Sequence, residues 1–530
     1  MSKPTSPWRN AFFLVFITAA FVSNVGTWLF NVAAGWLMTE LDGSALMVSL
    51  VQTANLLPLV LLAVPAGTLG DLGDRRKILL IAQSSLIAVN AVFAFLVQGE
   101  LVPPQLLLLF TLLNGIGAAV SAPLMTAVIP QLVARDQLGT AMSIGGISFN
   151  AARALGPILC GWLITRFSMA VPFWIDAASF GAVVAVIFFW SDDRHRDDKV
   201  PPRVFQFAMA DSVRFLRYTP ALYNSIFRSV LFFVGAGALW ALLPLVAREQ
   251  LGGDANLYGY LVGSVGIGAV LSGFFYDSIL GFFKNSNRLT LTVGLLFAVA
   301  LVGLGLTPSI GWAYVATFCC GVAWQLAFTS LISSTQYALP KWFGVRGMAY
   351  YFMAMGLSLA VGSALWGWLA DAFSLTVAHV AAAGVCTATA LFGRRFPLDQ
   401  AKGADLAAFT RYPEVPVPTH ADEDPGGLLL IRNYYRAGRA TPGELTRRLL
   451  RLRNKRYRSG ALRWHLFRPV GEQTDADVVE SYAEIKYTVQ HRHDARITRE
   501  DNRALEDFSE WLAAQGGTCR QEVLEEVASD

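Results

Sequence analysis

Three ionisable residues stand inside apolar stretches long enough to cross a bilayer: Arg153, Asp176 and Arg228. A charged side chain at mid-membrane costs a few kcal/mol or more, so such residues are candidates for transport or coupling chemistry. Arg153 sits near the middle of its stretch, with Asn150 almost one turn earlier. It can offer a cation to a central cavity or partner a proton-carrying group; the plainer reading is a packing pair with a neighbouring span. Asp176, a few residues into the next stretch, is the natural opposite charge, unless it snorkels to the interface. Arg228 lies near the start of its span, where an arginine also serves as an interface anchor. Gly156, Pro157 and Gly161 follow Arg153 in the same stretch. They predict a bent, closely packed helix, because proline removes a backbone donor and glycine admits a neighbouring backbone.

A second cluster joins two apolar runs between Pro65 and Leu80: Gly67, Gly70, Asp71, Asp74, Arg75, Arg76 and Lys77. Asp71 is placed to meet the positive end of a neighbouring helix dipole. Arg75 and Arg76 are placed to bridge to carboxylates across an interface between halves. Such a cluster reads as a gate that closes one side; the alternative is a positive anchor, which explains the basic residues but not Asp71. An echo follows 206 residues later. Ala66–Asp71 aligns with Ser272–Asp277, and Leu155–Phe167 aligns with Val361–Phe373, matching Gly156, Leu159, Gly161, Trp162, Leu163 and Phe167. Two matches at one offset argue for a duplicated membrane unit.

The elements that hold these residues are apolar runs. The 530 residues are 54% hydrophobic and 15% charged, where soluble domains carry about 25%. Runs near 10–38, 45–70, 78–98, 104–131, 138–166 and 171–190 predict six spans. A second set near 222–247, 256–283, 289–308, 310–338, 345–371 and 376–397 predicts six more. The first run is too long for a signal peptide. Lys and Arg collect on one side, including the central 191–221 segment, so both termini are expected in the cytoplasm. The net charge of +4 reflects this asymmetry and does not point to nucleic acid. Five cysteines, Cys160, Cys319, Cys320, Cys386 and Cys519, have no metal-binding spacing and are expected to be reduced; no cofactor or metal is expected.

Beyond residue 400 the composition changes. An acidic, Pro-rich linker over 401–427 leads to a polar unit over 428–520. Its pattern predicts a strand at Leu428–Tyr435, a basic helix at Thr441–Tyr457, strands at Ala461–Val470 and Asp477–Ile485, and a helix at Thr498–Ala514. The order βαββα suggests a ferredoxin-like α+β domain. The fold expected is thus an all-α polytopic membrane protein of twelve helices in two halves (1–190 and 222–400), with a cytoplasmic α+β domain. Few packing contacts are expected to cross the linker.

Gly67-x-Leu69-Gly70-Asp71 with Arg75-Arg76-Lys77 resembles the loop-2/3 signature of the major facilitator superfamily. Asn150-x-x-Arg153-x-x-Gly156-Pro157-x-x-x-Gly161, Ser23-Asn24-Val25-Gly26-Thr27-Trp28 and Asp74-Arg75-Arg76 resemble the enterobactin-exporter branch, the transmembrane secretion effectors. The tail is similar to antibiotic-biosynthesis monooxygenases, on a stretch over Ser481–His493. Two departures stand out: Leu72 follows the loop aspartate, and Thr111 stands where drug/proton antiporters carry an arginine. They move attention to Arg153 and Asp176. The resemblance implies export of a small amphipathic compound across a bacterial inner membrane, with protons as the coupling ion. Facilitated diffusion or import remains open, as does a membrane-anchored enzyme or regulator acting through the tail. Twelve spans exceed what an anchor needs, and the tail lacks a nucleophile or metal signature, so no enzyme is expected. A homodimer through the tail sheet is a further expectation.

Overall fold

The computed structural model describes residues 10–72, 74–133, 137–190, 213–306, 309–340, 344–398, 428–469, 476–485 and 499–525. Among the described residues, twelve helices are long and apolar enough to cross a membrane. In the first half these are α1 (Ala11–Leu41), α2 (Ala45–Leu72), α3 (Arg75–Gln98), α4 (Pro104–Leu132), α5 (Leu138–Arg166) and α6 (Val171–Phe189). The second half contains α7 (Pro220–Leu245), α8 (Ala255–Phe274), the short α9 (Tyr276–Phe283), α10 (Ser286–Leu306), α11 (Ile310–Tyr337), α12 (Gly344–Ala372) and α13 (Leu375–Phe392). Within hydrocarbon every backbone N–H needs an internal acceptor, and a helix supplies one for all but its ends. Side chains therefore decide only how the helices meet: α1 packs on α5 and α6, α2 on α4, and α10 on α13.

Two local features depart from the sequence reading. The run read as one span over 256–283 breaks at Phe275 into α8 and α9, and α9 ends at Lys284 with a left-handed φ of 57°. After Pro244, α7 widens into a π-helical turn, Val246–Gln250. Proline removes the N–H that would hold the regular ladder one turn back.

The chain divides into two compact units. One comprises 1–196, 225–333 and 349–398, and the other comprises 197–224, 334–348 and 399–530. The second unit contains a four-stranded antiparallel sheet ordered β2-β3-β1-β4: β1 (Leu428–Arg436), β2 (Arg463–Phe467), β3 (Val478–Ile485) and β4 (Thr518–Glu525). Helices α14 (Pro442–Ser459) and α15 (Arg499–Ala514) complete βαββαβ, the ferredoxin-like order. The βαββα expectation therefore lacked β4, which pairs with β1 from Leu429↔Glu525 to Arg436↔Thr518 and runs past residue 520. Its residues are mostly exposed, so it has no buried-face alternation for a pattern to detect. The helices cover one face through Leu445, Leu449, Leu452, Phe508 and Leu512.

At the centre of that unit is a buried ion pair. Glu480 of β3 accepts from Arg456 Nε and Nη2 at 3.1 Å each, Trp464 Nε1 at 2.8 Å, Asn433 Nδ2 at 2.8 Å and the Tyr435 hydroxyl at 3.0 Å. Burial opposes ionisation, but the Arg456 charge and the donors from Arg456, Asn433 and Trp464 outweigh it and hold the carboxyl below its ordinary range. Because the folded value is depressed, the pair stabilises the unit above the ordinary glutamate range and is lost as pH falls below about 4. Replacing Arg456 by Met leaves a buried carboxylate without its cation. We expect a loss of about 3–5 kcal/mol in denaturant unfolding of residues 428–530 near neutral pH, and a smaller loss at low pH.

The basic run of α14 is thus not one solvated face. Arg456 points inward, Arg458 pairs with the buried Asp501, and the Arg448 guanidinium stacks over Trp511 at 4.2 Å. The same unit includes a helical segment at 213–218, just ahead of α7. Tyr218 stacks on Tyr457 with centroids 4.2 Å apart and planes at 8°, and Arg214 Nη1 donates to the Gly460 carbonyl at 2.9 Å. The sheet unit is therefore tied to the segment ahead of α7 by side chains, a tie that the composition of the linker could not reveal.

Candidate functional site

Helix α1 packs on both α5 and α6, the helices that carry the two interior charges of the first half. On one side Gly26, lacking a side chain, lets α6 approach: a Cβ there would stand 2.8 Å from Asp176 Oδ1 and would collide with Ser179. On another side Gly156 of α5 receives Trp28, whose Cβ is 2.6 Å from where a glycine Cβ would be built. Cys160, one turn on, donates to the Leu29 carbonyl at 3.3 Å. Arg153 precedes Gly156 by three residues, on the same side of α5. Both charges are therefore placed by the close approach of α5 and α6 to one helix, at points where small residues leave room.

Asp176 is fully buried (0% exposed), and neither carboxylate oxygen accepts a hydrogen bond of normal geometry among the described residues. It does not snorkel outward. Arg153 is 8% exposed, and its Nε and Nη2 also lack partners among the described residues. The two are not joined in an ion pair, which corrects the expectation that Asp176 neutralises Arg153. Beside Asp176 lies a pair of buried amides. Asn114 of α4, whose amide also faces the Asp176 carboxyl, donates to Asn90 of α3 at 3.2 Å, with both residues buried.

Arg228 lies differently. It is 7% exposed and ties the second half together: Nη1 donates to Asn287 at 2.7 Å and to the Phe396 carbonyl at 3.3 Å, and Nη2 donates to Thr290. Asn287 in turn accepts from the Leu398 N–H at 2.8 Å. Asn150 donates to the Gly146 carbonyl of its own helix at 3.0 Å.

The gating-loop residues are partly visible. Asp74 caps α3 by accepting from the Lys77 N–H at 3.1 Å. Arg76 donates to the Ile187 and Phe188 carbonyls at the end of α6, within its own half, rather than to a carboxylate of the other half. Gly67, Gly70 and Asp71 fall inside α2, but their surroundings lie outside the described part of the structure, as do His491 and His493.

Between the halves, α5 and α8 come into backbone contact at two glycines. A Cβ on Gly161 would stand 2.6 Å from the Ala255 carbonyl, and one on Gly259 would stand 2.5 Å from the Pro157 carbonyl. Proline at 157 leaves α5 without one ladder bond at this seam, and Gly161 and Gly259 bring the two backbones together. Aromatic rings cross the boundary next to it. Trp28 of α1 faces Trp240 of α7 with centroids at 6.0 Å, Trp240 meets Trp324 at 5.6 Å and 82°, and Phe233 backs Trp324 at 5.1 Å. Trp324 is buried, whereas Trp28 and Trp240 are half-buried, although helices from both halves surround them. The Asn55 side chain donates to Asn31 at 3.1 Å, and both are half-buried. Trp240 and Trp324 were not singled out from the sequence, and Trp28 only as the end of a motif, because tryptophans are frequent in this chain and only the pairing distinguishes these.

The model of the transmembrane secretion effector family matches residues 2–527. The staphyloferrin A transporter of Staphylococcus aureus is 23% identical over 54% of this chain and 72% of its own. Macrolide efflux protein A of Streptococcus pyogenes is 22% identical over 69% of this chain and 90% of its own. The multidrug efflux pump Tap of Mycolicibacterium fortuitum is 25% identical over 69% and 91%. Among solved structures, a bacterial homolog of the human lysosomal transporter Spinster, inward-facing and unoccupied, superposes with a TM-score of 0.57 at 14% identity, covering 74% of this chain and 96% of that one. A POT family transporter superposes at 0.59 with 12% identity, over 72% and 95%. These two likenesses concern the fold. With twelve membrane-length helices and a family match over nearly its whole length, the chain belongs to the transmembrane secretion effectors of the major facilitator superfamily of transporters.

Proposed function

We propose that this protein exports a small amphipathic compound, siderophore- or drug-like, from the cytoplasm across a bacterial inner membrane by alternating access, driven by protons. Both termini then lie in the cytoplasm, in accord with the Lys and Arg distribution. The observation that carries the coupling is the pair Arg153 and Asp176, both nine-tenths or more buried, on two helices that pack on α1, and not paired with each other. A carboxylate in hydrocarbon holds its charge only when water or a cation reaches it, so movement of α6 against α1 links solvent access to proton occupancy. Trp28 and Trp240 supply the apolar contact for substrate, and Arg153 supplies donors for its polar end. The names of the efflux relatives support the direction. The test is accumulation in inside-out vesicles of a panel of siderophores, macrolides and lipophilic dyes, with and without a proton gradient. Accumulation indifferent to the gradient would remove the coupling, and accumulation only in right-side-out vesicles would reverse the direction.

For the tail we favour assembly or regulation over catalysis. Glu480, the most buried of its described carboxylates, is occupied by four side chains and has none of its hydrogen-bonding capacity left for a substrate. The sheet face away from the helices carries Leu430, Tyr434, Val479 and the exposed Phe467 and Leu524, which fits pairing with a second tail. Truncation after residue 400 removes the Tyr218–Tyr457 stack and the Arg214–Gly460 bond but no membrane helix. We expect the truncated protein to insert normally, to be smaller in detergent by more than the mass of one tail, and to retain part of its transport. Complete loss of transport at normal abundance would place the tail in the transport machine.

A further inference from the structure

The first N–H groups of a helix have no acceptor within it. At the start of α2, Ser44 serves one of them, its hydroxyl accepting from the Met47 N–H at 3.3 Å. The Ala45 and Leu46 N–H groups are served from the other half of the molecule: the Asp371 carboxylate accepts from them at 2.6 and 2.9 Å, one oxygen each. Asp371 is the penultimate residue of α12, so a side chain some 326 positions away completes the N-terminus of α2.

The two helices run antiparallel from this point. One turn earlier in α12, Gly367 has no side chain, and Ser49 occupies that space, with the Ala45 carbonyl 2.7 Å from where a Cβ would stand. Further along, Thr53 donates to the Ala360 carbonyl at 3.0 Å, and Gly356 lies against Val60. At the same end, Arg248 of the π-helical turn after α7 donates to Thr39 at 3.0 Å, and the neighbouring Glu249 is attracted by Arg248 and repelled by Asp371. Here the anion sits on the positive end of the partner's dipole. α2 carries Asp71 as its own penultimate residue, at the opposite end of the same antiparallel pair.

We propose that Asp371 is an interhalf latch: by capping α2 in trans it holds the two halves together at the end of the bundle that carries the α1–α2 turn, and that end opens when α12 withdraws the carboxylate. This rests on the alternating-access reading, in which each end must open in turn. When α12 leaves, two backbone N–H groups lose their acceptor at once and Gly367 leaves Ser49. Opening is therefore a concerted step rather than a gradual one.

The experiment uses the full chain with Cys519→Ser and a reporter, Thr53→Cys, in the middle of the α2–α12 seam. Modification by a membrane-impermeant maleimide is read at that residue by mass spectrometry, in intact spheroplasts and in inverted vesicles, without substrate or gradient. Asp371→Ala is expected to raise the modification rate several-fold on one face, and Asp371→Asn, which keeps one acceptor oxygen, is expected to raise it less. A rise confined to spheroplasts also fits cytoplasmic termini; a rise confined to inverted vesicles supports the latch and reverses the sidedness. Modification at the parent rate on both faces overturns the latch. If Asp371→Ala does not purify as a single species, Asp371→Ser takes its place under the same criterion. Loss of proton coupling in the vesicle transport assay would affect the proposed function and leave this measurement unchanged.

Discussion

Arg153→Ala is expected to reduce transport by roughly 100-fold while leaving the protein inserted, abundant and at least as stable as the parent. The rate follows from losing charged donor contacts of about 3 kcal/mol in the state that needs them. The stability follows from the ground state. The guanidinium is 8% exposed, and Nε and Nη2 have no partner among the described residues, so its removal relieves a desolvation cost instead of breaking a bond. Arg153→Lys should recover only part of the rate, because an ammonium lacks the planar set of donors. Vesicle transport and thermal unfolding in detergent, run on Ala, Lys and Met variants, check both the rate and the stability. Normal transport by Arg153→Met would leave packing as the residue's role, and a large fall in melting temperature would mean that it is held by contacts in this state.

Asp176→Asn should abolish the dependence of accumulation on a proton gradient, while substrate exchange down its own gradient continues. Asparagine keeps the shape that fits against Gly26 and Ser179 but carries no titratable proton. The check is paired: gradient-driven accumulation, then counterflow with equal pH on both sides. If counterflow also stops, Asp176 acts on the conformational change rather than on its coupling. If accumulation still follows the gradient, the coupling group lies elsewhere. The double variant Arg153→Met with Asp176→Asn tests whether the two act as a unit, in which case it is no worse than the more damaged single.

The spans were legible in the sequence because hydropathy is a local sum over about twenty residues and each helix closes its own hydrogen bonds. In the tail, strand β1 was legible for a similar reason: alternate residues from Leu429 to Tyr435 are buried, and that period is written along the strand. β4 was not, since its residues are mostly exposed and its place is decided by pairing with β1 alone. The break at Phe275 escaped because apolar composition continues across it into α9.

Among the candidate residues, chemistry was readable and partnership was not. An arginine and an aspartate inside spans announce their cost from composition, so Arg153, Asp176 and Arg228 could be picked out. Whether each is satisfied depends on side chains from distant helices. Arg228 meets Asn287 and Thr290, and Arg76 meets the end of α6, whereas Arg153 and Asp176 do not meet each other. Arg456 sits in a run of basic residues whose pattern says surface, yet it turns toward Glu480 because β3 places a carboxylate beneath that turn of α14. The number of the membrane helices and the βαβ character of the tail follow from near-neighbour patterns, and so could be read along the chain. The tryptophan contact between halves, the glycine seam of α5 and α8, and the capping of α2 by Asp371 are products of packing. Each of these joins groups present in many other places along the chain, and what sets them apart is that the folded bundle brings them within hydrogen-bonding or van der Waals reach.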